Sequence, residues 1–299
     1  MKHKPPPDEG VAPQVITFDA IMPASMAVRA EQSGVKRAST DPVTVLVLSV
    51  LAGAFISFGA IFATTVTAGA GLPYGVARLL TGLVFSVGLL MVIIAGAELF
   101  TGNNLIVMAW ASGKVKTRAL LLNWVLSFTG NFVGAIATAV LVFYSTQYTF
   151  GDGAVGLVAL NTANTKASLE FIPAVTLGIL CNALVCLAVW MCFSARTNID
   201  RVVTAVPPIA AFAAAGFEHC IANIYFIPMG LFIKAGAPQS FWTSIGKSAS
   251  DFPGLTWSNF FIGNLLPVTI GNIIGGSIMI GAVYWFVYLR KSDVKIISG

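Results

Sequence analysis

The chain has 299 residues, a formal net charge of +5, 57% hydrophobic residues and only 10% charged residues. Soluble domains carry about 25% charged residues, and a fold of this length leaves much of its surface in water. With a mean hydropathy of +0.85, the composition excludes an ordinary soluble enzyme, a nucleic-acid-binding protein and a disordered chain. It predicts an all-α, polytopic membrane protein.

The first element in chain order is an N-terminal segment, residues 1–40, which we expect to lie in the cytoplasm. It opens with a polar, proline-rich run that lacks the apolar core of a signal peptide, so no cleavable signal is expected. Residues 20–33 predict a short amphipathic helix ahead of the first span. Two interpretations of this helix stay open, a tether along the membrane surface and a movable cytoplasmic gate.

Six membrane spans follow. A membrane helix needs about 20 apolar residues. Uncharged stretches of sufficient length lie at about 43–68, 119–146, 171–195 and 257–289. Two further spans are interrupted by ionisable residues. The second span, within 79–113, contains Glu98, and the fifth, within 202–233, contains Glu218 and His219.

The lysines and arginines predict the orientation of these spans. With a cytoplasmic N-terminus, thirteen of the 17 basic residues fall in cytoplasmic segments and four fall outside or near the outer ends. Cytoplasmic loops carry such an excess of basic residues. We therefore expect a channel domain at residues 41–291, a cytoplasmic tail at 292–299, and both termini in the cytoplasm.

An internal repeat relates the two halves of this domain. Residues 96–103 of span 2 and 216–223 of span 5 both read G-x-E-x-x-x-small-N, and spans 3 and 6 both contain N-x6-G-N-x-x-G, at 123–134 and 264–275. The halves, at about 43–146 and 171–290, have three spans each, so they must insert in opposite orientations. Inverted repeats of this kind place the substrate site where the halves meet.

The glycine beside a charge in spans 2 and 5 predicts two helices broken by loops. Irregular backbone within a membrane lines a cavity or is buried in protein, and helix ends there can receive a small anion. We expect Glu98 and Glu218 to hold the loops by accepting hydrogen bonds from backbone N–H groups. A pair of acid–base carboxylates is the alternative. Asn131 and Asn272 are expected either to face the pore or to brace the loops.

His219 is the one histidine outside the N-terminal segment. An imidazole changes charge near neutral pH, so it can hydrogen-bond an anion or lend it a proton. No second histidine and no ligand spacing accompany it, so neither a metal nor a cofactor is expected. The cysteines are expected to be packing residues. They are Cys181, Cys186, Cys192 and Cys220.

Four stretches together resemble the formate/nitrite transporter family, and most closely its formate channels. They are MPASMA (22–27), AELFTGN (97–103), GFEHCIAN (216–223) and NLLPVTIGNIIGG (264–276). The resemblance extends over about residues 18–291. It implies a homopentamer in the bacterial inner membrane, in which each protomer is an aquaporin-like bundle of six helices with its own pore.

The resemblance also implies which residues line that pore. The substrate pathway would contain Thr101, Lys166, Asn182, Glu218, His219 and Asn272, with Lys166 in the loop between spans 3 and 4. The apolar constrictions would be Phe85, Leu89, Phe100 and Phe212. Glu98, Asn103 and Asn223 complete the expected set as the scaffold of the broken loops.

The function expected from these residues is a bidirectional, pH-sensitive channel for formate, which would cross as the neutral acid after transient protonation near His219. Nitrite or hydrosulfide is the alternative substrate within the same family. A water or glycerol channel is the alternative from another class, although the chain lacks the NPA tripeptide of aquaporins. A membrane-embedded enzyme is disfavoured because few polar side chains fall within the spans. A formate-metabolising enzyme docked at the N-terminal segment is a partner that this function would allow.

Overall fold

The computed structural model describes residues 20–290, and every regular element within that range is a helix. The helices in chain order are α1 (Pro23–Ser39), α2 (Pro42–Thr67), α3 (Tyr74–Ala95), α4 (Phe100–Asn103), α5 (Val107–Ala111), α6 (Thr117–Tyr144), α7 (Ala154–Ala167), α8 (Phe171–Cys192), α9 (Asn198–Ala215), α10 (Cys220–Gly236), α11 (Gln239–Ile245) and α12 (Asn259–Tyr288), the last with two π-helical stretches. The tail predicted at 292–299 lies outside the described residues.

Within the described range, five helices are long and apolar enough to cross a membrane alone, namely α2, α3, α6, α8 and α12. The α9–α10 pair supplies a sixth span if it is counted as one, with a bend of 48° at its break. Many large apolar side chains on these helices are exposed, among them Val47, Leu51 and Phe62. A soluble protein would bury such residues, whereas lipid or a neighbouring protomer can cover them.

Both predicted helix breaks are confirmed. Helix α3 is followed directly by Gly96, with φ of +79°, and α9 by Gly216, with φ of +80°. Residues with a Cβ are strained in this left-handed conformation, whereas glycine adopts it without strain. A glycine at this position can therefore terminate each helix. Helical structure resumes at Phe100 in the first half and at Cys220 in the second.

The first and third spans of each half approach closely through glycine. A Cβ on Gly134 of α6 would collide with the carbonyl oxygen of Val50, and a Cβ on Gly275 of α12 would collide with that of Ile179. Small residues let membrane helices pack backbone to backbone. The two halves therefore repeat not only a sequence pattern but also a packing contact.

Helix α1 is longer than the predicted 20–33, because its second half makes tertiary contacts. Gly34 packs against Ala109 and Ile106, and Glu31 pairs with Lys114 beyond α5. Helices α7 and α11 were not predicted from the sequence, and they form within the connections between spans. Both helices are too short to span a membrane, so span counting passes over them.

Candidate functional site

The two helix breaks meet at a hydrogen bond between Thr101 and His219. Thr101 is the second residue of α4, His219 precedes α10, and Thr101 Oγ1 lies 3.0 Å from His219 Nε2. Both residues are buried. The structure thus brings together two predicted pathway residues that are 118 positions apart in sequence.

A second hydrogen bond assigns the proton of this imidazole. His219 Nδ1 accepts from the backbone N–H of Ala222 at 3.1 Å. A neutral imidazole has one donor and one acceptor nitrogen, so its proton resides on Nε2 and points to Thr101 Oγ1. The hydroxyl proton of Thr101 is therefore not consumed by this bond and can be donated to another acceptor.

Two cavities flank the Thr101–His219 pair. The first, which we name the Lys166 cavity, has a volume of about 250 Å³, and His219 and Lys166 lie in its wall. The second, the Arg37 cavity, has a volume of about 200 Å³ and is lined by Arg37 and by Gly102, the neighbour of Thr101. His219 thus borders the first cavity, and the residue that follows Thr101 borders the second.

Apolar side chains narrow both cavities beside the pair. Phe85 and Phe212 line the Lys166 cavity, where their rings meet edge to face at 5.7 Å, and Phe212 also stacks on His219 at 6.0 Å. Leu89 and Leu99 line the Arg37 cavity. A bare anion loses its hydration in such surroundings at high cost unless polar groups replace the water.

The structure places Phe100 away from both cavities. Its ring packs edge to face against Phe128 at 5.2 Å and Trp124 at 6.2 Å. Leu99, the preceding residue, occupies the wall of the Arg37 cavity instead. The ring of Phe100 therefore faces α6.

Asn131 and Asn272 brace the two loops, which resolves the alternative left open by the sequence. Their Oδ1 atoms accept the backbone N–H groups of Phe100 and Cys220, each at 2.9 Å. Their Nδ2 groups donate to the carbonyl oxygens of the two break glutamates, also at 2.9 Å in each half. Asn272, expected on the pathway, is fully buried and lines neither cavity.

Asn182, another expected pathway residue, supports the backbone near Thr101. Its Nδ2 donates to the carbonyl oxygen of Asn272 at 2.7 Å, to Asn104 Oδ1 at 2.9 Å and to the carbonyl oxygen of Thr101 at 3.3 Å. It is fully buried and lines neither cavity. Asn182 therefore connects the two halves rather than facing the space between them.

The break glutamate of the second half is paired with a cation. Lys166 Nζ donates to Glu218 Oε1 at 2.7 Å, and Asn223 Nδ2 donates to Glu218 Oε2 at 2.7 Å. Lys166 lies in the last turn of α7 rather than in a loop. The helix holds its ammonium group in the cavity wall, where we expect it to attract anions.

The break glutamate of the first half has the same kind of partners. Arg37 Nη1 donates to Glu98 Oε2 at 3.0 Å, and Asn103 Nδ2 donates to it at 2.7 Å. Our expectation that the glutamates accept backbone N–H groups was therefore wrong about the partners, which are side chains in both halves. Each glutamate belongs to its own cluster, so an acid–base pair of carboxylates is not formed.

Three arginines that were not predicted from the sequence line the cavities. Arg78 lines the Lys166 cavity, and its Nε donates to the carbonyl oxygen of Ala214 at 2.9 Å. Arg37 and Arg201 line the other cavity. The signal for Arg37 was present in the sequence, because residues 37–41 and 166–170 both read basic-Ala-Ser-x-acidic.

Among residues 20–290, no three His, Cys, Asp or Glu side chains are grouped so as to hold a metal ion. The four cysteines are free thiols, and three of them are buried. Cys192 is partly exposed and lines the Arg37 cavity. The polar chemistry of the described site is therefore that of hydrogen-bond donors, acceptors and paired charges.

Comparison with known proteins places this geometry in context. The family model described as "Formate/nitrite transporter" matches residues 24–286. The formate channel FocA of Escherichia coli (strain K12) is 46% identical over 277 residues, which cover 92% of this chain and 97% of that protein. The formate channel FocA of Haemophilus influenzae is 39% identical over 269 residues, covering 90% and 95% of the two chains.

A solved structure also resembles this fold closely. The structure described as "Pentameric formate channel with formate bound" aligns with a TM-score of 0.79 and 43% sequence identity. The alignment covers 83% of this chain and 98% of that one. The similarity therefore extends through the spans and breaks that build the site, and it is not confined to a single motif.

Proposed function

The chain belongs to the formate/nitrite transporter family, and from that membership we propose that it is a formate channel. The observation that carries this proposal is the Thr101–His219 hydrogen bond between two cavities, each with a cation in its wall. The sequence similarity to formate channels, at 46% identity over most of the chain, supports the same substrate.

The geometry suggests how a small anion passes the pair. An anion that arrives from the Lys166 cavity can replace Thr101 Oγ1 as the acceptor of the His219 Nε2 hydrogen. Thr101, released from that bond, can donate its hydroxyl proton to a second oxygen of the same anion. Formate, with two acceptor oxygens on one carbon, can use both donors at once, and these hydrogen bonds offset part of its lost hydration.

The passage of formate as the neutral acid is part of this proposal. A proton on His219 Nδ1 would displace the N–H of Ala222, which now donates to that atom. Protonation of the ring is thus coupled to the first turn of α10, and the neutral ring is the resting state that the hydrogen bonds describe. The phenylalanine pair beside the ring favours an uncharged substrate.

The proposal also covers the oligomeric state of the protein and its orientation in the membrane. We propose a homopentamer in a bacterial inner membrane, with one pore per protomer and with both termini in the cytoplasm. The similarity to a pentameric channel supports the oligomeric state, and the bias of basic residues supports the orientation. A formate-metabolising enzyme docked at the N-terminal segment remains a proposed partner.

The test is anion flux into proteoliposomes that contain the purified protein. We expect formate to cross faster than nitrite or hydrosulfide, and we expect chloride to cross slowly. Faster flux of nitrite than of formate would leave the family membership intact and overturn formate as the preferred substrate. If the proteoliposomes are permeable to water and glycerol in stopped-flow measurements but carry no anion flux, the proposal is overturned in favour of a water or glycerol channel.

A further inference from the structure

Arg78 joins two helices of the site that pack directly on each other. It lies in the first two turns of α3 and is half-buried. Its Nε donates to the carbonyl oxygen of Ala214 at 2.9 Å, and its Nη2 donates to that of Ala213. Both carbonyls belong to the last turn of α9, so one guanidinium bridges two consecutive carbonyls at the end of that helix.

The end of a helix within a membrane leaves carbonyl oxygens that need donors. At the end of α9, the backbone N–H of Gly216 donates to the carbonyl oxygen of Ala213 at 3.2 Å. Among residues 20–290, Arg78 is the one donor to the carbonyl oxygen of Ala214. A cation at this end of a helix also opposes the negative end of the helix dipole. Arg78 therefore acts as a cap supplied by a neighbouring helix.

Helix α9 depends on such outside contacts more than α3 does. It contains Pro207 and Pro208, which lack the backbone N–H of a helical hydrogen bond, whereas α3 contains no proline. Contact with α3 fixes its middle, where a Cβ on Gly82 would collide with the carbonyl oxygen of Ala210. Arg78 lies one turn from Gly82 on α3, and it extends this contact to the end of α9.

The end of α9 that Arg78 holds leads directly to the Thr101–His219 pair. Gly216, with φ of +80°, turns the chain out of α9 shortly before His219. A Cβ on Gly216 would lie 3.2 Å from Arg78 Nη2, so the guanidinium packs against the turn itself. Phe212, whose ring stacks on His219, lies in the last turn of α9. Displacement of this helix end would therefore move both the imidazole and the ring beside it.

The first half offers no equivalent of Arg78 within the described residues. Counted back from the break glycine, Arg78 on α3 corresponds to Asn198 on α9. Asn198 Oδ1 accepts from Arg201 at 3.1 Å within the first turn of α9. Among residues 20–290, no side chain donates to the carbonyl oxygens of residues 92–95, the last turn of α3. The added donor is thus found at the break that contains the histidine, which indicates a role in the site rather than in the shared scaffold.

We propose that Arg78 is a positioning residue of the transport site. It fixes the end of α9, and through the turn at Gly216 it keeps His219 Nε2 aligned with Thr101 and keeps the ring of Phe212 on the imidazole. Its guanidinium is engaged by helix carbonyls, so it supports transport through the geometry of the pair and not by attracting anions. The inference rests on the proposed function, because formate is the ion whose passage this geometry serves.

Saturation kinetics of formate flux separate positioning from anion attraction. We expect Arg78→Gln to lower the maximal flux into proteoliposomes about tenfold, the effect of one lost hydrogen bond to a charged group, with a change of less than about twofold in the half-saturating concentration. Chloride leak should rise, because the ring of Phe212 loses its support. A raised half-saturating concentration with an unchanged maximal flux would overturn the proposal in favour of anion attraction.

Two further variants control for charge and for the hydrogen bond. Lys247→Gln removes a positive charge from an exposed position between α11 and α12 and should leave both kinetic constants unchanged. Arg78→Lys retains a cationic donor at its position and should restore most of the maximal flux. Equal losses in Arg78→Gln and Lys247→Gln would overturn the proposal, since net charge would then set the flux. No restoration by Arg78→Lys would overturn it as well.

Hydrogen–deuterium exchange tests the positioning without any flux. In the detergent-purified oligomer of the full chain, we expect Arg78→Gln to speed exchange of the backbone amides at 213–223 and not at 93–103, the equivalent segment of the first half. That result supports the positioning role even if flux through the wild type disproves formate transport. Equal acceleration at both segments would overturn the proposal in favour of a general loss of packing, and no acceleration at 213–223 would overturn it too.

Discussion

The two halves of the channel share a scaffold but not a functional group. Leu99 and His219 occupy the same place in the two breaks, with nearly equal backbone angles before the following helix. Thr101 likewise matches Ile221. Each half therefore contributes one polar side chain to the Thr101–His219 pair. These two side chains do not occupy equivalent positions in the repeat. A duplicated framework can thus hold a site that is not itself symmetric.

The scaffold that both halves share predicts the largest effect, which is a loss of stability. This loss should be equal for matching substitutions in the two halves. Asn131→Ala and Asn272→Ala each remove a side chain that makes three hydrogen bonds and leave backbone groups unpaired. We expect each to lower the free energy of unfolding by about 3 kcal/mol, measured as loss of the detergent-purified oligomer on heating.

Asn161→Ala is the matched control, because Asn161 is an exposed asparagine of α7. It should leave the melting temperature within experimental error. A large effect of Asn272→Ala beside a negligible one of Asn131→Ala would break the equivalence of the two halves.

The next largest effect is expected on formate flux at His219, a residue that has no histidine counterpart in the first half. His219→Gln retains a donor toward Thr101 but cannot titrate, whereas His219→Ala loses the donor as well. We expect formate flux between about pH 5 and about pH 8 to lose its pH dependence in both variants. The rate should fall about tenfold further in His219→Ala. An unchanged pH profile in His219→Gln would exclude the imidazole as the source of the pH response.

The smallest effect separates two phenylalanines that the family resemblance treats alike. Phe212 lines a cavity and stacks on His219, whereas Phe100 packs against α6. We expect Phe100→Leu to cost about 1 kcal/mol of stability without changing formate flux. Phe212→Leu should instead raise the leak of chloride, measured in the same proteoliposomes. Equal chloride leak in the two variants would place both rings at constrictions.

Much of this architecture was accessible from the sequence. The breaks at Glu98 and Glu218 stood out because a glycine and a carboxylate are unusual together within an apolar span. The inverted repeat was readable from the same motifs and their order. His219 stood out as the one histidine outside the N-terminal segment. Thr101 needed the family resemblance, and neither residue alone predicts a partner 118 positions away.

What the sequence did not predict has a common physical cause. In a membrane span every face is apolar, so periodicity does not tell which side chain turns toward a pore and which toward a neighbouring helix. Phe100, expected at a constriction, packs its ring against α6, and the chloride leak of its variant tests whether it also narrows the pore. The pairing of Glu98 with Arg37 joins residues 61 positions apart across helices whose relative placement only the fold supplies.

The bracing of each break also bears on how the protein is made. The acceptors and donors that satisfy the first break, from Asn131 to Arg37, all lie within residues 37–131, and those of the second lie within 166–272. A nascent chain that inserts its first three spans can therefore pair these amides in lipid before the rest is translated, avoiding the cost of bare backbone in hydrocarbon. Asn182 can reach across to Thr101 only after the second half has been made.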